Sequence, residues 1–153
     1  MVTRLLVAGG GFLLAVLWFD LMFDVQVIRT ARADGVLEDR VLASIAAYYA
    51  RVTTESYPMS HLVGAVMLVT VAGTLWQVIS GPMTLGLRIA AFVLAVGPIA
   101  LAGVRVLPNA IRLGARADGL AEQSELARAI LRDHILCFAT ISAFVAVELF
   151  GGH

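Results

Sequence analysis

The chain has 153 residues, 60% of them hydrophobic, and a mean hydropathy of +0.91. That is one domain, too apolar for a fold whose surface faces water on every side. Eleven basic residues, all arginine, balance eleven acids, and zero net charge without a basic run excludes a nucleic-acid partner. The single cysteine, Cys137, excludes an intramolecular disulfide and CxxC redox chemistry.

The first apolar segment is predicted over residues 4–28. One preceding arginine and no small-x-small site argue against a cleavable leader. Gly9, Gly10 and Gly11, followed by Ala15, form a small-residue strip on which another helix can come close. Glycine is also common in membrane helices generally. The last turns of this segment, LWFDLMFDVQ over 17–26, set Asp20 and Asp24 four residues apart on one helical face, with Trp18 beside them. Carboxylates inside a span are costly and point to function unless they have a structural partner.

In the first loop, Leu37, Val41, Ile45, Tyr48, Tyr49 and Val52 recur at spacings of three and four. That period predicts an amphipathic interfacial helix over 36–55, with tyrosines at headgroup level. The second span, 59–79, starts after Pro58, carries His61 in its first turn and ends at Trp76 and Gln77. Ser80-Gly81-Pro82 then makes a tight turn. The third span, 86–107, holds Gly97-Pro98 as a kink and ends on Arg105. Beyond it Arg105, Asn109 and Arg112 share one face if the helix survives Pro108. The fourth span, 129–150, is led in from about residue 122, has His134 and Cys137 on one face at its entry, and has Glu148 near its exit. Cys137 fits a packing role, Glu148 an outer interfacial charge, and Glu125, Arg128, Arg132 and Asp133 a solvated face.

Each span approaches the roughly 20 residues that cross a bilayer. The expected fold is therefore all-α, a four-helix transmembrane bundle, up-down-up-down, with the amphipathic helix at one end. Arg29, Arg32, Arg40 and Arg51 in the first loop, and Arg105, Arg112, Arg116, Arg128 and Arg132 in the third, oppose only Arg4 and Arg88. By the positive-inside rule both termini face away from the cytoplasm, in a multi-pass protein of a bacterial inner membrane.

This topology brings Asp20, Asp24, His61, Arg105, Asn109 and His134 to one depth at the cytoplasmic end. Several readings fit. Asp20 or Asp24 with Arg105 forms an ion pair that locks the first helix to the third. A pocket there takes a hydrophobic, oxygen-bearing molecule from the membrane: Trp18, Tyr48 and Tyr49 wall it, Asp24, His61 and Arg105 help orient the substrate, and His134, with Asn109 and Asp20, carries the proton chemistry. The aspartates and histidines hold a metal ion. His61 and His134 ligate a b-type haem. The bound group stays open between these.

RVLPNAIRLG, a short polar loop, and then ELARAILRDH opening the last helix resemble the anthrone-oxygenase-like family of small four-helix integral membrane proteins. Pro108, Asn109 and Leu113 match that family's motif after the third helix, and His134 matches the histidine at the start of the fourth. Its tryptophan and arginine positions hold Ile130 and Cys137. Tyr48-Tyr49-Ala50-Arg51 looks like its first-loop motif. The resemblance implies a four-helix fold and oxygenation of a polycyclic phenolic substrate, with Asn109 and His134 in the site. The expected function is thus binding or oxidation of a lipophilic aromatic or quinone-like compound. The alternatives are a non-catalytic subunit of a larger membrane complex, or homo-oligomer, and a haem- or metal-binding protein.

Overall fold

The computed structural model describes residues 1–29 and 35–151, so Arg32, counted above for orientation, lies outside the described residues. The apolar runs form helices because each closes its backbone hydrogen bonds internally, as a chain surrounded by lipid must. They are α1 (Val2–Asp24), followed by the short α2 (Gln26–Arg29), α3 (Asp39–Thr54), α4 (Met59–Ser80), α5 (Leu85–Leu101), α6 (Leu107–Ala115) and α7 (Leu120–Phe150). A π-helical turn, Ala102–Val106, joins α5 to α6 without a break. Four stretches are long and apolar enough to cross a membrane: Val2–Ile28, Met59–Ser80, Leu85–Ala115 and Leu120–Phe150.

These four spans pack as an up-down-up-down ring, α1 on α4 and α7, and α5 on α4 and α7, with α1 against α7 the most extensive seam. The seam is written in a three-four spacing on both helices. On α7, Gln123, Ala127, Ile130, His134, Cys137, Ile141, Phe144 and Glu148 are all buried. On α1 the same spacing runs Leu6, Gly10, Leu13, Leu17, Asp20, Asp24, with Leu6, Gly10, Leu13 and Asp24 buried. Facing stripes with this repeat pack as in a left-handed coiled bundle. Gly10 lets the side chains of α7 come close: a Cβ there would lie 2.5 Å from Val145 Cγ2, and one on Gly9 3.1 Å from Thr70 Oγ1, whereas Gly11 faces open space. Outside the seam, Leu68, Val93 and Val104 are 70, 59 and 72% exposed, as lipid-facing residues should be.

The π turn changes which residues of the third span face inward. Buried Ala91, Ala95 and Pro98 keep the three-four spacing, which would continue through positions 102, 105, 109 and 112. Proline at 98 and 108 removes two helical N–H donors, and the wide turn between them inserts one extra residue into the register. The buried positions become Val106, Ala110 and Leu113. Arg105 and Arg112 turn outward and Asn109 is half-buried. The helix survives Pro108, but the polar face expected from Arg105, Asn109 and Arg112 is rotated out of the interior.

The amphipathic helix of the first loop is α3. Its apolar face (Val41, Leu42, Ile45, Ala46, Tyr49) is buried in one core with Val106, Ala110 and Leu113 and with Leu126, Ala127, Ile130 and Leu131 of α7. It packs chiefly on α6, and also on α7 and α1, so it caps the bundle by direct contact. The preceding strand of chain is tied in by Leu37 N–H donating to the buried Ser124 Oγ at 3.0 Å. At the crossing of α3 and α6, a Cβ on Gly114 would lie 2.9 Å from the backbone nitrogen of Ala50. Gly114→Ala is therefore expected to push α3 outward and to cost about 1–3 kcal/mol through overpacking. Thermal unfolding in detergent checks this, and an unchanged midpoint would contradict the close crossing.

Candidate functional site

Because Asp20 and Asp24 continue the inward stripe of α1, and His134 lies on the inward stripe of α7, they meet across the seam where α3 covers it. The His134 Nδ1 is 2.6 Å from Asp24 Oδ2. Tyr49 Oη donates to Asp24 Oδ1 at 2.6 Å and lies 3.5 Å from His134 Nδ1. With Asp24 as carboxylate, one oxygen accepts from the tyrosine hydroxyl and the other from a hydrogen on Nδ1. Asp24, Tyr49 and His134 are 0, 2 and 4% exposed, so these bonds replace water that each group has lost.

That arrangement leaves the other ring nitrogen available. His134 Nε2 is 3.9 Å from Asp20 Oδ2, beyond a direct hydrogen bond. Asp20 accepts from Tyr48 Oη at 2.6 Å and keeps 16% side-chain exposure. Tyr48 in turn stacks on Phe23, ring centroids 4.0 Å apart. The cluster is thus closed at Asp24 and open at Asp20, with two aromatic rings beside the opening. Asp24 fixes the imidazole's orientation and tautomer, and Nε2 becomes the atom that can take or give a proton at the open edge.

Arg105 does not pair with Asp20 or Asp24; its guanidinium lies 3.2 Å from Asp133 Oδ2. Asp133 is 3% exposed, which corrects its assignment to a solvated face. Arg132 Nε also reaches it at 3.4 Å. Arg112 instead holds Asp118 in a bidentate contact, at 2.7 and 2.8 Å. Among the described residues no hydrogen bond joins Asn109 to the cluster. Trp18 is 59% exposed and rests against Phe138 of α7, centroids 6.2 Å apart, one turn beyond His134. His61 is exposed and lies edge-on to Tyr57 at 5.2 Å; no hydrogen bond joins it to the cluster among the described residues. Among the described residues no group of three or more His, Cys, Asp or Glu side chains is arranged to hold a metal ion. Cys137 is buried, with its Sγ 3.7 Å from the Pro98 carbonyl that it faces on α5, a packing role as expected.

At the opposite end of the bundle, Glu148 is 3% exposed and accepts from Gln77 Nε2 at 3.0 Å, not the interfacial charge expected. The signal for it was in the sequence. Glu148 stands 14 residues from His134 (148 − 134), two full repeats along the same stripe.

Compared with known family models, with curated proteins and with solved structures, the chain matches none.

Burial, and then the carboxylates of Asp20 and Asp24, hold the Tyr48 and Tyr49 phenols well above their ordinary value of 10.0. A phenol raised in the folded state stabilises the fold fully below the unfolded value, about 10, and loses that contribution as pH rises from there. Alkaline difference spectra of the folded protein should accordingly omit these two of its three tyrosines, so that Tyr48→Phe and Tyr49→Phe leave the tyrosinate amplitude unchanged. A fall in amplitude in either variant would contradict the buried network. Tyr49→Phe should cost about 1–3 kcal/mol because it orphans a fully buried carboxylate oxygen. Tyr48→Phe should cost less, since Asp20 can turn to solvent.

Proposed function

We propose that this protein binds a lipophilic aromatic compound carrying an ionisable hydroxyl, a phenol or quinol, at the α3 end of the bundle, and that His134 transfers its proton. The observation that carries the proposal is the asymmetry of the imidazole. Nδ1 is anchored on a buried carboxylate at 2.6 Å, while Nε2 faces a second carboxylate across 3.9 Å. A hydroxyl or water entering between Nε2 and Asp20 would meet an acceptor on each side. Anchored imidazoles of this kind act as general bases, contributing on the order of 10²–10⁴ in rate.

Phe23 and Tyr48 supply the aromatic surface at that edge, and the exposed Trp18, against Phe138 one turn along α7, offers a ring to a compound arriving from the membrane. The resemblance in Pro108, Asn109, Leu113 and His134 supports a polycyclic phenol as the compound, since removing its proton leaves the electron-rich anion that oxidation requires. In this reading the α3 end is cytoplasmic in a bacterial inner membrane, as the arginine distribution suggests.

The test uses purified protein in mild detergent with 1,8-dihydroxyanthrone as the probe. The wild type is expected to bind it, seen as quenching of tryptophan fluorescence that Trp18→Phe reduces, and to accelerate its conversion to the anion. His134→Ala and Asp24→Asn should lower that rate about 100-fold or more while the protein stays folded. Wild-type rates in both variants, or a chain isolated only within a larger complex and inert without it, would overturn the proposal.

A further inference from the structure

The opposite end of the bundle carries a second polar centre that the proposed function does not use. Gln77 of α4 and Glu148 of α7 are 2 and 3% exposed. Their contact runs from Gln77 Nε2 to Glu148 Oε2 at 3.0 Å, and the same amide nitrogen reaches Thr3 Oγ1 of α1 at 3.3 Å. The amide oxygen Gln77 Oε1 and the second carboxyl oxygen Glu148 Oε1 are buried and have no hydrogen-bond partner. Two orphaned acceptors on two side chains already joined to each other form an unusual pair, because a buried acceptor left without a donor has lost water and gained nothing in return.

One hydrogen resolves both. A proton on Glu148 Oε1 turns that oxygen into a donor, and Gln77 Oε1 is the free acceptor across the pair. Acid and amide then form a closed two-bond ring, O–H to amide oxygen and amide N–H to acid oxygen. Among the charged groups around the pair, Arg88 keeps a buried Nε without a partner, but no hydrogen bond or ion pair joins it to Glu148 among the described residues. Arg88 of α5 donates from Nη1 to the Gln77 and Val78 carbonyls at 3.3 and 3.0 Å, capping the end of α4. Arg4 of α1 is exposed, and no ion pair among the described residues reaches Glu148. An unpaired carboxylate at this depth would be costly. Gln77, though not Glu148, also borders a cavity. Its volume is about 180 Å³ and Thr3, Met1, Trp76 and Ser80 line it too, large enough for several waters.

We propose that Glu148 and Gln77 form a site for a single exchangeable proton at the terminal end of the bundle, reached through this cavity. The site is independent of the His134 centre, and its failure would leave that reading untouched. Infrared spectra of the whole protein in lipid near neutral pH test it. The expected result is the carbonyl stretch of a neutral carboxylic acid that is lost in Glu148→Gln and moves down in deuterium oxide without unfolding. No loss in Glu148→Gln would show an ionised carboxylate and overturn the proposal. A band that resists deuterium until unfolding would overturn the exchange route. So would a melting temperature raised by sodium chloride over choline chloride in the wild type but not in Glu148→Gln, since a metal cation would then fill the site. Should Glu148→Gln fail to fold, Gln77→Leu carries the same test. It deletes the accepting amide oxygen, so the band should move to higher frequency, and an unmoved band overturns the pairing.

Discussion

The contact between Asp24 and His134 is the constraint from which most of this architecture follows. A carboxylate with no water around it must find donors. Here they come from two directions, the imidazole of α7 and the Tyr49 hydroxyl of α3. The first bond fixes α1 and α7 in rotation and in depth, because both residues sit on stripes whose other members interlock along the seam. The second fixes α3 over the end of the bundle, where its apolar face closes on α6 and α7. Moving any one of the three helices would leave a charged oxygen alone in the interior.

How much of this was legible in the sequence depends on the period of each element. The four spans follow from apolar length alone, and α3 from its three-four spacing. Asp20, Asp24, Tyr48, Tyr49 and His134 converge because ordinary helical geometry carries them there. The third span broke the inference. Counting three and four from Pro98 leads to Arg105, Asn109 and Arg112, and a one-residue insertion in the turn Ala102–Val106 hands those places to Val106, Ala110 and Leu113. Two prolines ten residues apart (108 − 98) signal that the hydrogen-bond ladder is interrupted, but not whether the helix kinks, ends or widens. Asp133 was hidden for a related reason. Its neighbours Arg132 and Glu125 are surface residues, and the outward swing of Arg105 brings a half-exposed guanidinium onto the buried carboxylate.

The two polar centres differ in how their chemistry is satisfied. At the α3 end both oxygens of Asp24, the Tyr49 hydroxyl and His134 Nδ1 are hydrogen-bonded to one another, and only Nε2 is left without a direct partner, at the edge. At the terminal end the pair is internally incomplete and its Gln77 borders a cavity. The first arrangement holds the imidazole in one orientation, whereas the second leaves two buried acceptors unmatched.

Their separation decides whether they could act as one relay. His134 and Glu148 stand about 21 Å apart along α7 at 1.5 Å per residue. Between them the stripe presents Cys137, Ile141 and Phe144, facing Leu6 and Leu13 of α1. The nearest hydroxyls on α4, Thr70 and Thr74, are buried too, but each donates to a carbonyl of its own helix, Val66 and Thr70, at 2.8 Å. Their hydrogens are committed to backbone acceptors, so they add no donor to a chain across the bundle. The other side chains between the two centres are apolar and offer a proton no resting place. Among the described residues, then, no hydrogen-bonded chain joins His134 to Glu148, and the two centres stand apart.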